Sequence, residues 1–148
     1  MAFGSNLGDR ARAIHDAARQ VAAFLDNFRL SSIIETAPVG AGLEHDPPYL
    51  NAVGVGESDL TPRALLERLQ AIEARAGRER PYQGAPRTLD LDLILAGDRV
   101  IAEETLQMPH PRFRERRFVL GPLAELEPDL VDPVTGQTVR ELLARLSD

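Results

Sequence analysis

Asp90 and Asp92 stand two residues apart in the stretch Arg87-Thr88-Leu89-Asp90-Leu91-Asp92-Leu93-Ile94-Leu95. The leucines at 89, 91, 93 and 95 alternate with Asp90, Asp92 and Ile94, and a period of two is the strand signal. Successive side chains on a strand point to opposite faces, so the aspartates share one face and the leucines the other. Residues two apart on a strand are roughly 6.7 Å apart at the backbone. Two carboxylates that close repel each other, and hard divalent cations relieve the repulsion. Two-metal sites hold their ions about 3.5–4 Å apart, within reach of such a pair. The plainer alternative is a solvated strand face. Against it, Asp is a poor strand former, so two in one short strand suggest a use. Arg87 and the arginines at 75, 78 and 80 add groups suited to phosphate oxygens.

The bulk composition narrows the chemistry. At 148 residues the chain is expected to be one domain, residues 1–148. A domain of this size buries about 68–70% of its unfolded surface, so it needs no covalent staples. There is no cysteine, which removes disulfides, thiolate zinc sites and a cysteine nucleophile. That usage suits a cytoplasmic protein, as does a start without the layout of a signal peptide. No apolar run approaches the roughly 20 residues that span a membrane. A net charge of −6 argues against bulk nucleic-acid binding. All 17 basic residues are arginine, so a P-loop lysine and Schiff-base chemistry are excluded.

The elements that must position the acidic pair follow from periodicity and punctuation. Ala2 to Gly4 reads as the end of a first strand, and Gly4 to Asp9 as a turn cluster in which Gly4 and Gly8 allow unusual backbone geometry. Asp9 is a candidate N-cap for an amphipathic helix from Arg10 to about Asn27, with His15 on its polar side. Leu30 to Thr36 reads as a strand. Residues 37–48 form a Gly/Pro-rich loop holding His45, read as a surface residue.

Tyr49 to Gly56 is the next strand, with Tyr49, Asn51, Val53 and Val55 on one face. Asn51 is then either a satisfied core amide or a ligand contact. Thr61-Pro62 opens a second helix whose natural stop is Gly77. Beyond the acidic strand come a turn at Gly97-Asp98, a short return strand at Val100-Ile101 and the rigid Met108-Pro109-His110-Pro111-Arg112. Phe118 to Glu127 reads as helical, with Gly121-Pro122 delaying its start. A turn at Asp132-Pro133 and a helix from Thr138 to Leu146 close the chain. Arg112, Arg114 and Arg117 read as surface charges.

Through Ala96 the order is strand, helix, strand, strand, helix, strand. That is an α+β chain with a ferredoxin-like βαββαβ core: one mostly antiparallel sheet, helices on one face, and C-terminal helices added.

The motifs in hand resemble the 6-hydroxymethyl-7,8-dihydropterin pyrophosphokinases of folate synthesis. The matching segments are Gly4-Ser5-Asn6-Leu7-Gly8-Asp9, Glu35-Thr36-Ala37-Pro38-Val39-Gly40, Tyr49-Leu50-Asn51-Ala52-Val53, Pro86-Arg87-Thr88-Leu89-Asp90-Leu91-Asp92, Met108-Pro109-His110-Pro111-Arg112 and Glu115-Arg116-Arg117-Phe118-Val119-Leu120. The resemblance implies pyrophosphate transfer from ATP to the pterin hydroxymethyl group with release of AMP. It implies Asp90 and Asp92 as ligands of two Mg²⁺ ions, with Asp92 also orienting the attacking hydroxyl. Arg78, Arg87 and Arg116 match triphosphate contacts, Arg78 and Arg87 also assisting catalysis. Glu73 and His110 match further nucleotide contacts. Thr36, Pro38, Val39, Tyr49, Asn51 and Phe118 match the pterin pocket, where a flat bicycle wants an aromatic face and its amide edge a donor–acceptor group. Segments 37–48 and 79–86 would be lids. The family often has a tryptophan near the end of the second lid; here Tyr82 or Gln83 stands nearby. The expected partners are ATP and the pterin, with no nucleic acid and no membrane, and the chain is expected to be a monomer, with a dimer as the alternative. The rival reading is a non-catalytic ferredoxin-like module that binds a small molecule.

Overall fold

A computed structural model describes residues 1–6, 9–36, 49–78 and 89–146, with only the backbone of Arg78. The fold is α+β, an open antiparallel sheet with four helices among the described residues. The order is β1 (Ala2–Ser5), α1 (Arg10–Ala22), β2 (Asp26–Leu30), β3 (Ile34–Thr36), β4 (Tyr49–Glu57), α2 (Pro62–Arg78) and β5 (Asp90–Asp92). A small hairpin follows, β6 (Ile101–Ala102) with β7 (Gln107–Met108), then a 3-10 turn (Phe113–Glu115), α3 (Arg117–Leu126) and α4 (Val139–Arg145). In the main sheet the strands run β2-β4-β1-β5, and β3 pairs with the other end of β4. No helix among the described residues is long and apolar enough to cross a membrane.

Local chemistry sets most of these boundaries. The Asp9 side chain accepts the Arg12 N–H at 3.2 Å, capping α1. Ile14, Ala17, Ala18 and Val21 then recur at helical spacing and are buried. The Thr61 hydroxyl accepts the Ala64 N–H at 3.1 Å, with Pro62 as the first helical residue of α2. Leu65, Leu69 and Ile72 form its buried stripe. Thr138 and Glu141 make a reciprocal capping box at the start of α4.

The first helix is shorter than its pattern suggests. It ends at Ala22, and Asp26–Leu30 is strand β2, entered through Asn27 at a φ of 53°. Phe24, Leu25 and Phe28 fit a helical period, but Phe28 and Leu30 fit a strand period equally well. Phe28 packs edge-on to Phe3 across the sheet, with ring centroids 6.3 Å apart. Burial of a strand face thus overrides the helical pattern. The expected strand at 30–36 is split, because residues 31–33 belong to neither β2 nor β3. There the Ser31 hydroxyl accepts the Val53 N–H at 2.8 Å. Gly77 does not stop α2, which continues to Arg78, and α3 starts at Arg117 with Pro122 inside it. Gly4 lies in β1, as the expected first strand has it, and the strand runs one residue further into the turn cluster, to Ser5.

Each face of the sheet has its own core. Phe3, Ala52 and Leu91 pack with Ile14, Val21, Leu65, Leu69 and Ile72 under α1 and α2. Val53 and Ile94 pack with Phe113, Val119, Leu120, Leu123, Val139 and Leu142 under α3 and α4. The C-terminal helices therefore cover part of the face opposite α1 and α2. Burying a side chain such as Ile14 or Leu120 fully contributes about 1.5–3 kcal/mol relative to leaving it exposed.

Candidate active site

The acidic pair lies on β5, which is only three residues long because the chain leaves the ladder at Leu93. Its register is set by the central strand. Asp90 pairs with Gly4 and Asp92 with Ala2, while Gly4 pairs in turn with Asn51 and Ala2 with Val53. Directly paired residues share a face, so Asp90, Asp92, Gly4 and Asn51 all belong to the α3/α4 face. Leu91 falls on the other face and is buried in the core under α1 and α2. Adjacent strands are about 4.8 Å apart, which sets the Asp90 and Asn51 backbones roughly 10 Å apart across Gly4. Both carboxylates are half-buried.

The edge of β5 away from β1 is held by a side chain. The Glu73 carboxylate, on α2, accepts the Leu91 N–H at 3.0 Å. His110 reaches Asp92 through a backbone bond, its N–H donating to the Ile94 carbonyl at 2.9 Å. The Arg112 N–H donates to His110 Nδ1 at 3.1 Å, so the neutral ring carries its proton on Nε2. Burial lowers the His110 pKa; the Asp92 charge opposes this, and Arg116 and Arg112 add to the lowering. A cavity of about 220 Å³ opens beside these groups, lined by Asp92, Leu93, Thr105, Gln107, His110 and Pro111. Arg116 precedes α3, and its guanidinium carbon lies 5.7 Å from the Phe118 ring centroid.

On the β4 side, Asn51 is 8% exposed and its Nδ2 donates to the Thr36 hydroxyl at 2.7 Å. Tyr49, half-buried, pairs with Thr36. Thr36, Tyr49 and Asn51 thus cluster at one end of β4, one strand from the acidic pair. A larger cavity of about 520 Å³ lies toward the other end of β4, beside Val55, Glu57 and Leu95, and neither Asp90, Asp92, His110 nor Asn51 lines it.

Of the residues singled out in the sequence, Pro38, Val39, His45, Tyr82, Gln83 and Arg87 lie outside the described residues, as do the segments 37–48 and 79–86 expected to be lids and the Arg78 side chain. Among the described residues no group of three His, Asp or Glu side chains forms a metal cage. That donor set still suits Mg²⁺, which is commonly bound by one or two carboxylates plus substrate phosphates.

Comparison with known proteins decides the family. The sequence profile of the 7,8-dihydro-6-hydroxymethylpterin-pyrophosphokinases matches residues 1–128. The chain belongs to that family. Among relatives of these pyrophosphokinases, a Methylorubrum extorquens 2-amino-4-hydroxy-6-hydroxymethyldihydropteridine pyrophosphokinase is 40% identical over 149 residues, covering 99% of this chain and 91% of that protein. A Haemophilus influenzae protein of the same name is 38% identical over 151 residues, covering all of this chain and 92% of that one. The folic acid synthesis protein fol1 of Pneumocystis carinii is 36% identical over 149 residues, and there the chain spans only 20% of the longer protein.

Arg114 was misread from sequence. It is no surface charge but the partner of Asp132, a fully buried carboxylate, with its Nε and Nη2 at 2.5 and 2.9 Å from the two oxygens. The Val134 N–H and Thr135 hydroxyl donate to the same carboxylate. An Asp whose oxygen accepts the N–H two residues on is an Asx turn, and Asp132-Pro133-Val134-Thr135-Gly136 carries that signal. The Glu73–Leu91 bond and the Thr105 and Gln107 wall have no comparable mark in the sequence.

Proposed function

We propose that the chain carries out the reaction of its family, moving pyrophosphate from ATP to the hydroxymethyl group of 6-hydroxymethyl-7,8-dihydropterin and releasing AMP. In that step the pterin alcohol releases its proton to solvent as its oxygen forms a bond to the β-phosphorus. The bond from the β-phosphorus to the oxygen bridging to the α-phosphate breaks, and AMP leaves. Phosphoryl transfer asks the protein for position and charge stabilisation more than for covalent chemistry. The row Asp90–Gly4–Asn51 is the observation that carries the reading. It holds a carboxylate and a buried amide about 10 Å apart on one face, which supports a bicyclic alcohol facing a triphosphate there.

Asp90 and Asp92 would hold two Mg²⁺ ions. Bound there, the ions would neutralise the charge of the phosphate oxygens. Asp92 orients the attacking hydroxyl. Arg116, with Arg78 and Arg87, binds the phosphates, and His110 Nε2–H donates to the nucleotide in the cavity beside Asp92. Glu73 lies on the same side of β5 as a nucleotide contact. Asn51 and Thr36 read the pterin amide edge, while Tyr49 and Phe118 face its rings, with Pro38 and Val39 completing the pocket. The strand order supports a ferredoxin-like core, with β2 and β3 acting as one bent strand beside β4. One domain over 1–148, a monomer and a cytoplasmic location complete the proposal. No observation favours the non-catalytic module.

The test is calorimetry with a non-hydrolysable ATP analogue with and without Mg²⁺, followed by an AMP-release assay with the pterin alcohol. Metal-dependent nucleotide binding and pterin-dependent AMP release are expected. Nucleotide binding indifferent to Mg²⁺, with no AMP released, would defeat the reading.

A further inference from the structure

Glycine weakens a strand, because it adds backbone entropy to be lost and brings no side chain to pack. The sheet has three such positions in its inner strands, Gly4 in β1 and Gly54 and Gly56 in β4. Two are required by packing. A Cβ on Gly54 would lie 2.6 and 2.7 Å from Phe28 ring atoms and 2.9 Å from Phe3, inside contact distance of two core rings. On Gly56 it would meet Leu25 at 3.0 Å and the Asp26 carbonyl at 3.2 Å.

Among the described residues nothing gives Gly4 such a reason. Its backbone is not in the left-handed region. A Cβ there would meet Asn51 Oδ1 at 3.4 Å, the Leu50 carbonyl at 3.9 Å and Tyr49 Cδ1 at 3.9 Å, all ordinary contacts. The fold would accept alanine and gain strand propensity from it. What that methyl would touch is informative. Of the three nearest atoms, two belong to the Asn51 amide and the Tyr49 ring, and Gly4 stands directly between Asn51 and Asp90 in the row across the sheet.

We propose that Gly4 is a specificity-determining residue for the pterin, its missing side chain leaving room for substrate atoms to pass from the Asn51 amide to the Asp90 carboxylate. This rests on the proposed function, in which Asn51 and Tyr49 bind the pterin and Asp90 serves the phosphates. A methyl at this point crowds the one stretch of sheet that the reacting alcohol must cross. The nucleotide lies on the other side of β5, toward His110, and is untouched. A strand glycine that packing does not demand often marks close approach by a ligand.

The experiment compares Gly4→Ala with the wild-type chain. Thermal unfolding, Mg²⁺-dependent binding of a non-hydrolysable ATP analogue, and steady-state kinetics with the pterin alcohol are measured on both. The variant should fold with an unchanged or higher Tm and bind the analogue within about twofold of wild type. Its kcat/KM for the pterin should fall by about tenfold or more, since small misplacements of reacting groups are costly. Three results overturn the proposal: kcat/KM for the pterin within about twofold of wild type, equal losses for pterin and nucleotide, or a variant that does not fold, which would make the glycine a demand of the fold. A wild-type chain that releases no AMP indicts the proposed function instead, so the two failures are told apart.

Discussion

The carboxylate of Glu73 and the N–H of Leu91 meet at 3.0 Å, and Leu91 is the residue between Asp90 and Asp92. The bond ties the C-terminal half of α2 to a strand whose only other ladder partner among the described residues is β1. Without an acceptor, the Leu91 N–H would be left unpaired on the outer edge of β5. Glu73→Ala is therefore expected to cost about 1–3 kcal/mol and to loosen the aspartates' spacing. The Mg²⁺ concentration for half-maximal AMP release should rise severalfold. Glu73→Gln, which keeps an acceptor oxygen, should recover most of the loss. If both variants shift the KM for ATP alike while the Mg²⁺ dependence stays fixed, Glu73 serves the nucleotide alone and does not steady the strand.

Asp90→Asn and Asp92→Asn should each leave the fold intact, because both side chains are half-buried and neither belongs to a hydrophobic core. Replacing either carboxylate also relieves repulsion within the pair. Turnover should drop by about 10²–10³ or more, the scale on which preorganised charge is lost from a phosphoryl site. Circular dichroism and AMP release on the same preparations check this. Variants with lost circular dichroism would assign the pair to folding; full turnover would remove it from the chemistry.

Much of this site was legible in the sequence, for identifiable reasons. Alternation in Leu89–Leu93 gave the faces of Asp90 and Asp92, and alternation in Tyr49–Val55 placed Asn51 opposite the buried Ala52. Both patterns are local and survive any tertiary arrangement. The end of α1 was not legible, because Phe28 fits a helical period with Phe24 and Leu25 and a strand period with Leu30, and only the Phe3 contact decides between them. Nor was the approach of His110 to Asp92, which depends on a backbone bond to Ile94 made after the chain has turned through the β6–β7 hairpin. The Arg114–Asp132 pair escaped for a related reason: an arginine in a run of arginines looks solvated until its partner, 18 residues away, is folded against it.

Asn51 holds its amide in place by donating Nδ2 to the Thr36 hydroxyl at 2.7 Å, which turns its Oδ1 toward Gly4. A buried amide fixed in this way can discriminate strongly, since a partner lacking the complementary group leaves it unsatisfied. Asn51→Ala is expected to weaken pterin binding by about 1–3 kcal/mol, roughly ten- to a hundredfold, and to leave ATP-analogue binding nearly unchanged. Titration calorimetry with each ligand separates the two. Equal weakening of both would mean that Asn51 braces the sheet and does not read the pterin.

Asp132 carries a pH signature whose cause lies in named contacts. Burial alone would raise its pKa, but the Arg114 guanidinium, the Val134 N–H and the Thr135 hydroxyl outweigh it and hold the carboxyl at about 2. The folded value lies below the ordinary 3.8, so the charged form is favoured by folding. Its contribution is complete above pH 4 and is lost as pH falls through the folded value. The size is roughly 1–2 kcal/mol after discounting for solvent screening around the pair. Asp132→Asn should remove that acid-side slope. It should also lower stability at pH 7 by about 3 kcal/mol, because Arg114 keeps its charge without a partner. Urea unfolding of both proteins at pH 7 and pH 3 measures the two effects, and the gap between them should narrow at the lower pH. A gap that stays constant would show that the cost comes from packing rather than from the ionised pair.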